Sequence, residues 1–132
     1  MESRLPAGAP FLSPGQIFDH YHGRLRDHKR EMFLVVLLDA RHRVLREEAV
    51  SEGSLTSSIV HPREVFRAAV RESAGAVVLV HNHPSGDPAP SEEDVAVTRR
   101  LVQASELIGI RILDHVIVGD GSYTSLKEAG LL

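Results

Sequence analysis

The sequence contains no cysteine. Disulfides, thiolate zinc ligands and a cysteine nucleophile are therefore excluded, and any metal site must be built from histidine, aspartate and glutamate. Long apolar runs are missing as well. The longest, residues 32–38, falls far short of the ~20 residues that span a bilayer, and the first ten residues lack the ~7–15-residue apolar core of a signal peptide. The expectation is a cytoplasmic protein with no membrane partner. Positive charge is also in short supply: a net charge of −3 and a pI near 6.2 argue against an overall electrostatic grip on nucleic acid. Arg24, Arg26, Lys29, Arg30, Arg41 and Arg43 cluster in sequence, but Asp27 and Glu31 interrupt them, which reads as a solvated helix face.

A chain of 132 residues is one domain with room for a real core. What it does contain is concentrated in one stretch, residues 81–94, which reads HNHPSGDPAPSEED. The apolar run Ala76-Val77-Val78-Leu79-Val80 before it is rich in β-branched residues and predicts a buried strand. Side chains alternate along a strand, so His81 and His83 project the same way and both imidazoles reach one ion. Residues 84–90 are a Pro/Gly-rich turn, after which Ser91 is the N-cap of a helix over 91–107. Asp94 lies in its first turn and shares a face with Val97, Thr98 and Leu101, so its carboxylate faces the sheet.

Two imidazoles and one carboxylate make a three-ligand set, the pattern of catalytic zinc, which keeps a fourth position for water. Zinc lowers the pKa of that water to about 7, and a neighbouring base must still carry the proton. The candidate base is Glu31, at the start of an apolar strand over 31–38 that belongs centrally in the same sheet.

The remaining pattern predicts a helix over 14–28 with Ser13 as N-cap, Pro14 at N1 and Gln16 completing a capping box, and with Ile17, Phe18, Tyr21 and Leu25 buried. The strand over 31–38 forms a hairpin with a second over 44–51, and a short strand lies around 57–60. A helix over 62–72 turns Val65, Phe66, Ala69 and Val70 inward. A strand over 110–118, a turn at Gly119-Asp120-Gly121 and a short helix over 125–129 close the chain. Strands alternating with helices, two of them apolar on both faces, predict an α/β fold with a mixed sheet covered by helices on both sides.

An upstream glutamate followed by His-x-His, seven residues, Ser, two residues and Asp resembles the JAMM (MPN+/JAB) metalloprotein signature throughout. Residues 81–88 (HNHPSGDP), together with His61-Pro62-Arg63-Glu64-Val65-Phe66 and Leu113-Asp114-His115-Val116-Ile117-Val118, look more narrowly like the RadC family. The resemblance covers residues 13–132, with 1–12 as an N-terminal tail. It implies a JAB/MPN-like, three-layer arrangement similar to that of cytidine deaminases. It further implies zinc held by His81, His83 and Asp94, with Glu31 as general acid/base and Ser91 stabilising an oxyanion. Relatives with the signature cleave isopeptide bonds to ubiquitin-like proteins, whereas RadC proteins carry an association with DNA repair. RadC proteins also typically have a helix-hairpin-helix-like region ahead of this domain, and a dozen residues precede Ser13 here.

The leading expectation is a zinc metallohydrolase cleaving an amide or isopeptide bond in a peptide or protein substrate. The alternatives are a metal-dependent nuclease or other DNA-processing protein and a non-catalytic binding module on the same fold. The letters His-Asn-His are no HNH nuclease, whose three residues are spread over a longer unit, and a zinc deaminase needs the Cys-x-x-Cys that this chain lacks. Pro84, Ser85 and Gly86 read as turn residues. Asp87 is expected to face solvent. His115 reads as a core histidine that is a candidate second group behind the site. His20, His22, His28, His42 and His61 have no ligand spacing and read as surface residues. An exposed edge strand is the natural dimer surface.

Overall fold

The computed structural model describes residues 5–53 and 60–132. Its elements run α1 (Pro14–Leu25), β1 (Met32–Leu38), β2 (Val44–Glu52), α2 (Pro62–Arg71), β3 (Ala76–Asn82), α3 (Glu92–Ile108), β4 (Arg111–Val118) and β5 (Tyr123–Ser125). The five strands form one open sheet in the order β2-β1-β3-β4-β5. Strand β1 is antiparallel to both β2 and β3, and β5 is antiparallel to β4. Strands β3 and β4 are parallel, and α3 supplies the crossover connection that a parallel pair needs.

Residue parity along the central strands decides the layers. Leu34, Val36 and Leu38 of β1 and Ala76, Val78 and Val80 of β3 pack with Ile17, Tyr21 and Leu25 of α1. Their neighbours Phe33, Val35, Leu37, Val77 and Leu79 face the other way and pack with Val65 and Phe66 of α2 and Val97 and Leu101 of α3. The result is the expected mixed sheet between helical layers, with β1 and β3 buried on both faces. Strand β2 is an edge: Arg46 pairs with Glu48 along the strand and with Glu72 at the C-cap of α2, and Glu47 pairs with Arg24 of α1. Arg24 is thus committed to Glu47 and does not belong to a free basic face.

Several local expectations are corrected. Helix α1 ends at Leu25, three residues early, and Gln16 does not close a capping box: Ser13 Oγ accepts from the Gln16 amide, while Gln16 Oε1 accepts from Leu12 N–H. Phe18 is only half-buried. In α2 Val65, Phe66 and Ala69 are buried as expected, but the fourth buried residue is Ala68, and Val70 is 58% exposed. The short helix over 125–129 is instead the end of β5 followed by a turn, pinned by buried Asp114, which accepts from Ser125 Oγ and Lys127 N–H. The strand expected around 57–60 falls largely outside the described residues, and Val60 itself is buried coil. Of the five histidines read as surface residues only His42 is fully exposed; His20, His22, His28 and His61 are half-buried, and His22 Nε2 accepts from Gly121 N–H.

Candidate metal centre

His81 occupies an odd-side position of β3, next to Phe33 of β1 and Ile117 of β4, and is fully buried under α3. His83 lies one residue past the strand end. It emerges on the same face, with its side chain 14% exposed. The loop after it is held down by two glycines. Gly86 adopts φ +90°, and a Cβ on Gly119 would stand 2.4 Å from the Gly86 carbonyl oxygen, so the loop lies directly on the end of β4. The Asp120 amide donates to that carbonyl at 2.8 Å. Helix α3 then begins with a full capping box, in which Ser91 Oγ accepts from Asp94 N–H at 3.0 Å and Asp94 Oδ2 accepts from Ser91 N–H at 2.8 Å.

These elements bring Asp94, His81 and His83 to one point. Asp94 Oδ1 lies 3.2 Å from His81 Nε2, Asp94 Oδ2 lies 3.0 Å from His83 Nε2, and the two Nε2 atoms are 3.1 Å apart. Ligands bonded to zinc at ~2.0–2.1 Å in a tetrahedron stand ~3.3–3.4 Å from one another. Three nitrogen and oxygen donors at 3.0–3.2 Å therefore fit a metal ion closely. Glu31 stands further back, its Oε1 3.9 Å from His81 Nε2 and its side chain 25% exposed. All four residues offer ligand atoms within 4.8 Å of one another, so the residues singled out by spacing do converge. A cleft of about 280 Å³ lined by Lys29, Arg30, Glu31, Gly53 and Pro84 opens beside Glu31.

Protonation follows from the same contacts. Burial opposes ionisation of Asp94, but its hydrogen bonds with His81 and His83 outweigh that and hold the carboxyl far below the usual range. The hydrogen bond with Asp94 raises the His83 pKa against the effect of burial, with the Asp87 carbonyl adding to it. A proton on His83 Nε2 thus sits where a metal ion would be held. The Asp87 side chain is exposed, as expected, yet its carbonyl oxygen accepts from His83 Nδ1 at 2.8 Å.

Three residues that the spacing argument did not assign to the centre support it from behind. His115 is fully buried, with its pKa pushed well down by burial and by neighbouring His81. It is more than a core histidine, since its Nε2 lies 2.7 Å from His81 Nδ1 and its Nδ1 lies 2.6 Å from Thr98 Oγ1. Thr98 Oγ1 in turn donates to the Asp94 carbonyl at 2.7 Å. Asn82 points to the opposite face of β3 and bonds to the backbone of Arg30 and Met32. The polar pair Asp114-His115 inside an otherwise apolar strand, and Thr98 four residues after Asp94 on the inward face of α3, were the available signals.

The model of the RadC-like JAB domain family matches residues 11–131. A UPF0758 protein of Pelobacter propionicus is 63% identical over 92% of this chain and 53% of its own length. One from Geobacter sulfurreducens is 62% identical over 92% of this chain and 53% of its own. A third, from Trichlorobacter lovleyi, is 60% identical over 98% and 56% respectively. The chain thus spans about half the length of the curated relatives it matches.

Proposed function

The chain belongs to the RadC-like JAB domain family, and from that membership we propose that it is a zinc-dependent hydrolase cleaving an amide or isopeptide bond. The observation that carries the reading is the convergence of His81 Nε2, His83 Nε2 and the Asp94 carboxylate within 3.0–3.2 Å, with the Glu31 carboxylate beside them. Nitrogen and carboxylate donors without thiolate suit zinc. Bound there, the ion would supply a water of lowered pKa and polarise the scissile carbonyl.

The chain's own residues do the rest. Glu31 takes the proton of the attacking water and passes it to the leaving amine, a role that needs a carboxylate close to the ligands but not among them. Ser91 Oγ uses a lone pair to cap α3, so its hydroxyl proton remains for the developing oxyanion. His81 and Asp94, almost without exposure, keep water off the inner side of the centre. Substrate approaches from the side of Glu31 and the partly exposed His83, along the cleft lined by Lys29 and Arg30.

Elemental analysis of untagged wild type beside His83→Ala, followed by incubation with peptide and isopeptide substrates, tests this. One zinc per chain in the wild type, lost in the variant, with zinc-dependent cleavage supports the reading. Wild-type protein with no stoichiometric metal overturns it.

A further inference from the structure

Each ligand histidine must present a bare Nε2 lone pair to a metal ion, and the two achieve this differently. His83 Nδ1 faces the Asp87 carbonyl, which only accepts, so His83 carries its proton on Nδ1. His81 Nδ1 faces another imidazole, His115 Nε2, which donates in one tautomer and accepts in the other. We propose that Thr98, His115 and His81 form a buried hydrogen-bond chain whose direction sets which nitrogen of His81 is bare, making His115 and Thr98 positioning residues of the metal centre. The inference rests on the metal-binding half of the function proposed above and not on hydrolysis.

The chain has four links' worth of atoms and only two consistent directions. Its members Thr98, His115 and His81 are all fully buried, so no water replaces a missing partner inside it. In the first direction Thr98 Oγ1–H donates to the Asp94 carbonyl at 2.7 Å and the same oxygen accepts from His115 Nδ1–H at 2.6 Å. His115 Nε2 then accepts from His81 Nδ1–H at 2.7 Å, and His81 Nε2 is left as a lone pair facing the centre. In the second, Thr98 Oγ1–H donates to His115 Nδ1, His115 Nε2–H donates to His81 Nδ1, and His81 Nε2–H points at Asp94 Oδ1, 3.2 Å away.

Reversal moves one proton on each of the three residues and releases none, so it is a change of direction without a change of charge. Only the first direction accepts a metal ion. Asp94 stands at both ends: its carboxylate is beside the ligand nitrogen and its main-chain oxygen is the acceptor that anchors the metal-competent direction. Removing Thr98 Oγ1 deletes that anchor. Replacing His115 by an apolar residue leaves His81 Nδ1–H without an acceptor exactly when a metal ion is held, whereas glutamine restores an acceptor oxygen near the place of Nε2.

The test is zinc affinity by chelator competition for wild type, His115→Leu, His115→Gln and Thr98→Val, with long-range ¹H–¹⁵N spectra of wild-type histidines before and after adding zinc. The expected result is ~10–100-fold weaker zinc binding in His115→Leu, with most of it recovered in His115→Gln and an intermediate loss in Thr98→Val. In the zinc-loaded wild type His81 and His115 both carry their proton on Nδ1. A zinc-loaded His115 protonated on Nε2, or leucine and valine variants with wild-type affinity, overturns the proposal. The spectra decide it even where His115→Leu does not fold. Zinc binding with the expected tautomers but no hydrolysis of any substrate supports this inference while removing the hydrolase reading, and wild type that binds no zinc overturns both.

Discussion

The side chain of Asn82 holds the backbone on both sides of Glu31: its Oδ1 accepts from Met32 N–H at 2.6 Å and its Nδ2 donates to the Arg30 carbonyl at 3.3 Å. Asn82 lies between His81 and His83 in sequence but faces the other side of the sheet. One strand end therefore supplies two candidate ligands on one face and, on the other, the clamp that fixes the backbone just ahead of β1, where the candidate base sits.

Glu31→Gln is expected to keep its metal and lose turnover by ~10²–10⁴-fold, the range for a general base. Zinc content and cleavage rate measured on the same preparation separate the two effects. A variant that turns over at the wild-type rate removes Glu31 from the mechanism.

Asn82→Leu leaves Met32 N–H and the Arg30 carbonyl unpaired, for a loss of ~1–3 kcal/mol in stability. Displacing Glu31 by even an ångström lowers kcat by up to ~10²-fold with zinc content unchanged. Urea denaturation, metal analysis and steady-state rates check the three parts. Loss of zinc together with activity would show that Asn82 supports the ligands and not the base.

Ser91 combines two roles that Ser91→Gly separates. Glycine costs an N-cap only a few tenths of a kcal/mol, so Tm stays nearly constant, while loss of an oxyanion donor lowers kcat by ~10²–10³-fold. If kcat is unchanged, Ser91 is a helix cap alone.

Gly119→Ala places a methyl group 2.4 Å from the Gly86 oxygen and 2.8 Å from Pro88 Cδ, both in the loop between the ligands. That loop must lift, carrying the Asp87 carbonyl away from His83. Weaker zinc binding at near-normal secondary structure is expected by chelator competition and circular dichroism. Unchanged affinity would mean that the loop does not orient His83.

The metal-free protein is expected to be most stable near pH 6.5, the ordinary histidine value. Above it, the unfolded chain releases the proton that folded His83, with its raised pKa, still holds, so stability falls as pH rises through the folded value. Below it, the unfolded chain protonates the histidine that folded His115 keeps neutral, so stability falls again. Asp94, held low, contributes fully above 3.8 and does not shape this window. Urea midpoints of chelator-treated protein on either side of pH 6.5 test it, and a monotonic trend contradicts the assignment.

How much of this is legible in sequence depends on the range over which each signal acts. His81, His83 and Asp94 follow from strand alternation and helical periodicity within one short segment. Glu31 immediately precedes a strand that periodicity finds, which makes it the candidate base, but its nearness to the candidate ligands depends on β1 pairing with β3, which periodicity does not give. His115 and Thr98 each read as lying on buried faces, His115 also as a candidate second group, and what periodicity does not give is that the parallel pairing of β4 with β3 sets His115 directly beside His81. Strand β5 is three residues long, too short for alternation to register. Val70 is an apolar residue that periodicity turns inward, yet the helix buries Ala68 in its place, and a shift of the buried stripe by this little is below what apolar periodicity alone resolves.

Because His81, His83 and Asp94 all lie on the segment 81–94, the cost of gathering them grows only with the logarithm of a short loop. The denatured chain therefore keeps a chelating peptide within it, one that three prolines stiffen. If the native fold holds zinc as proposed, metal captured by that peptide competes with it, and added zinc is expected to raise the melting temperature by less than the native affinity alone dictates.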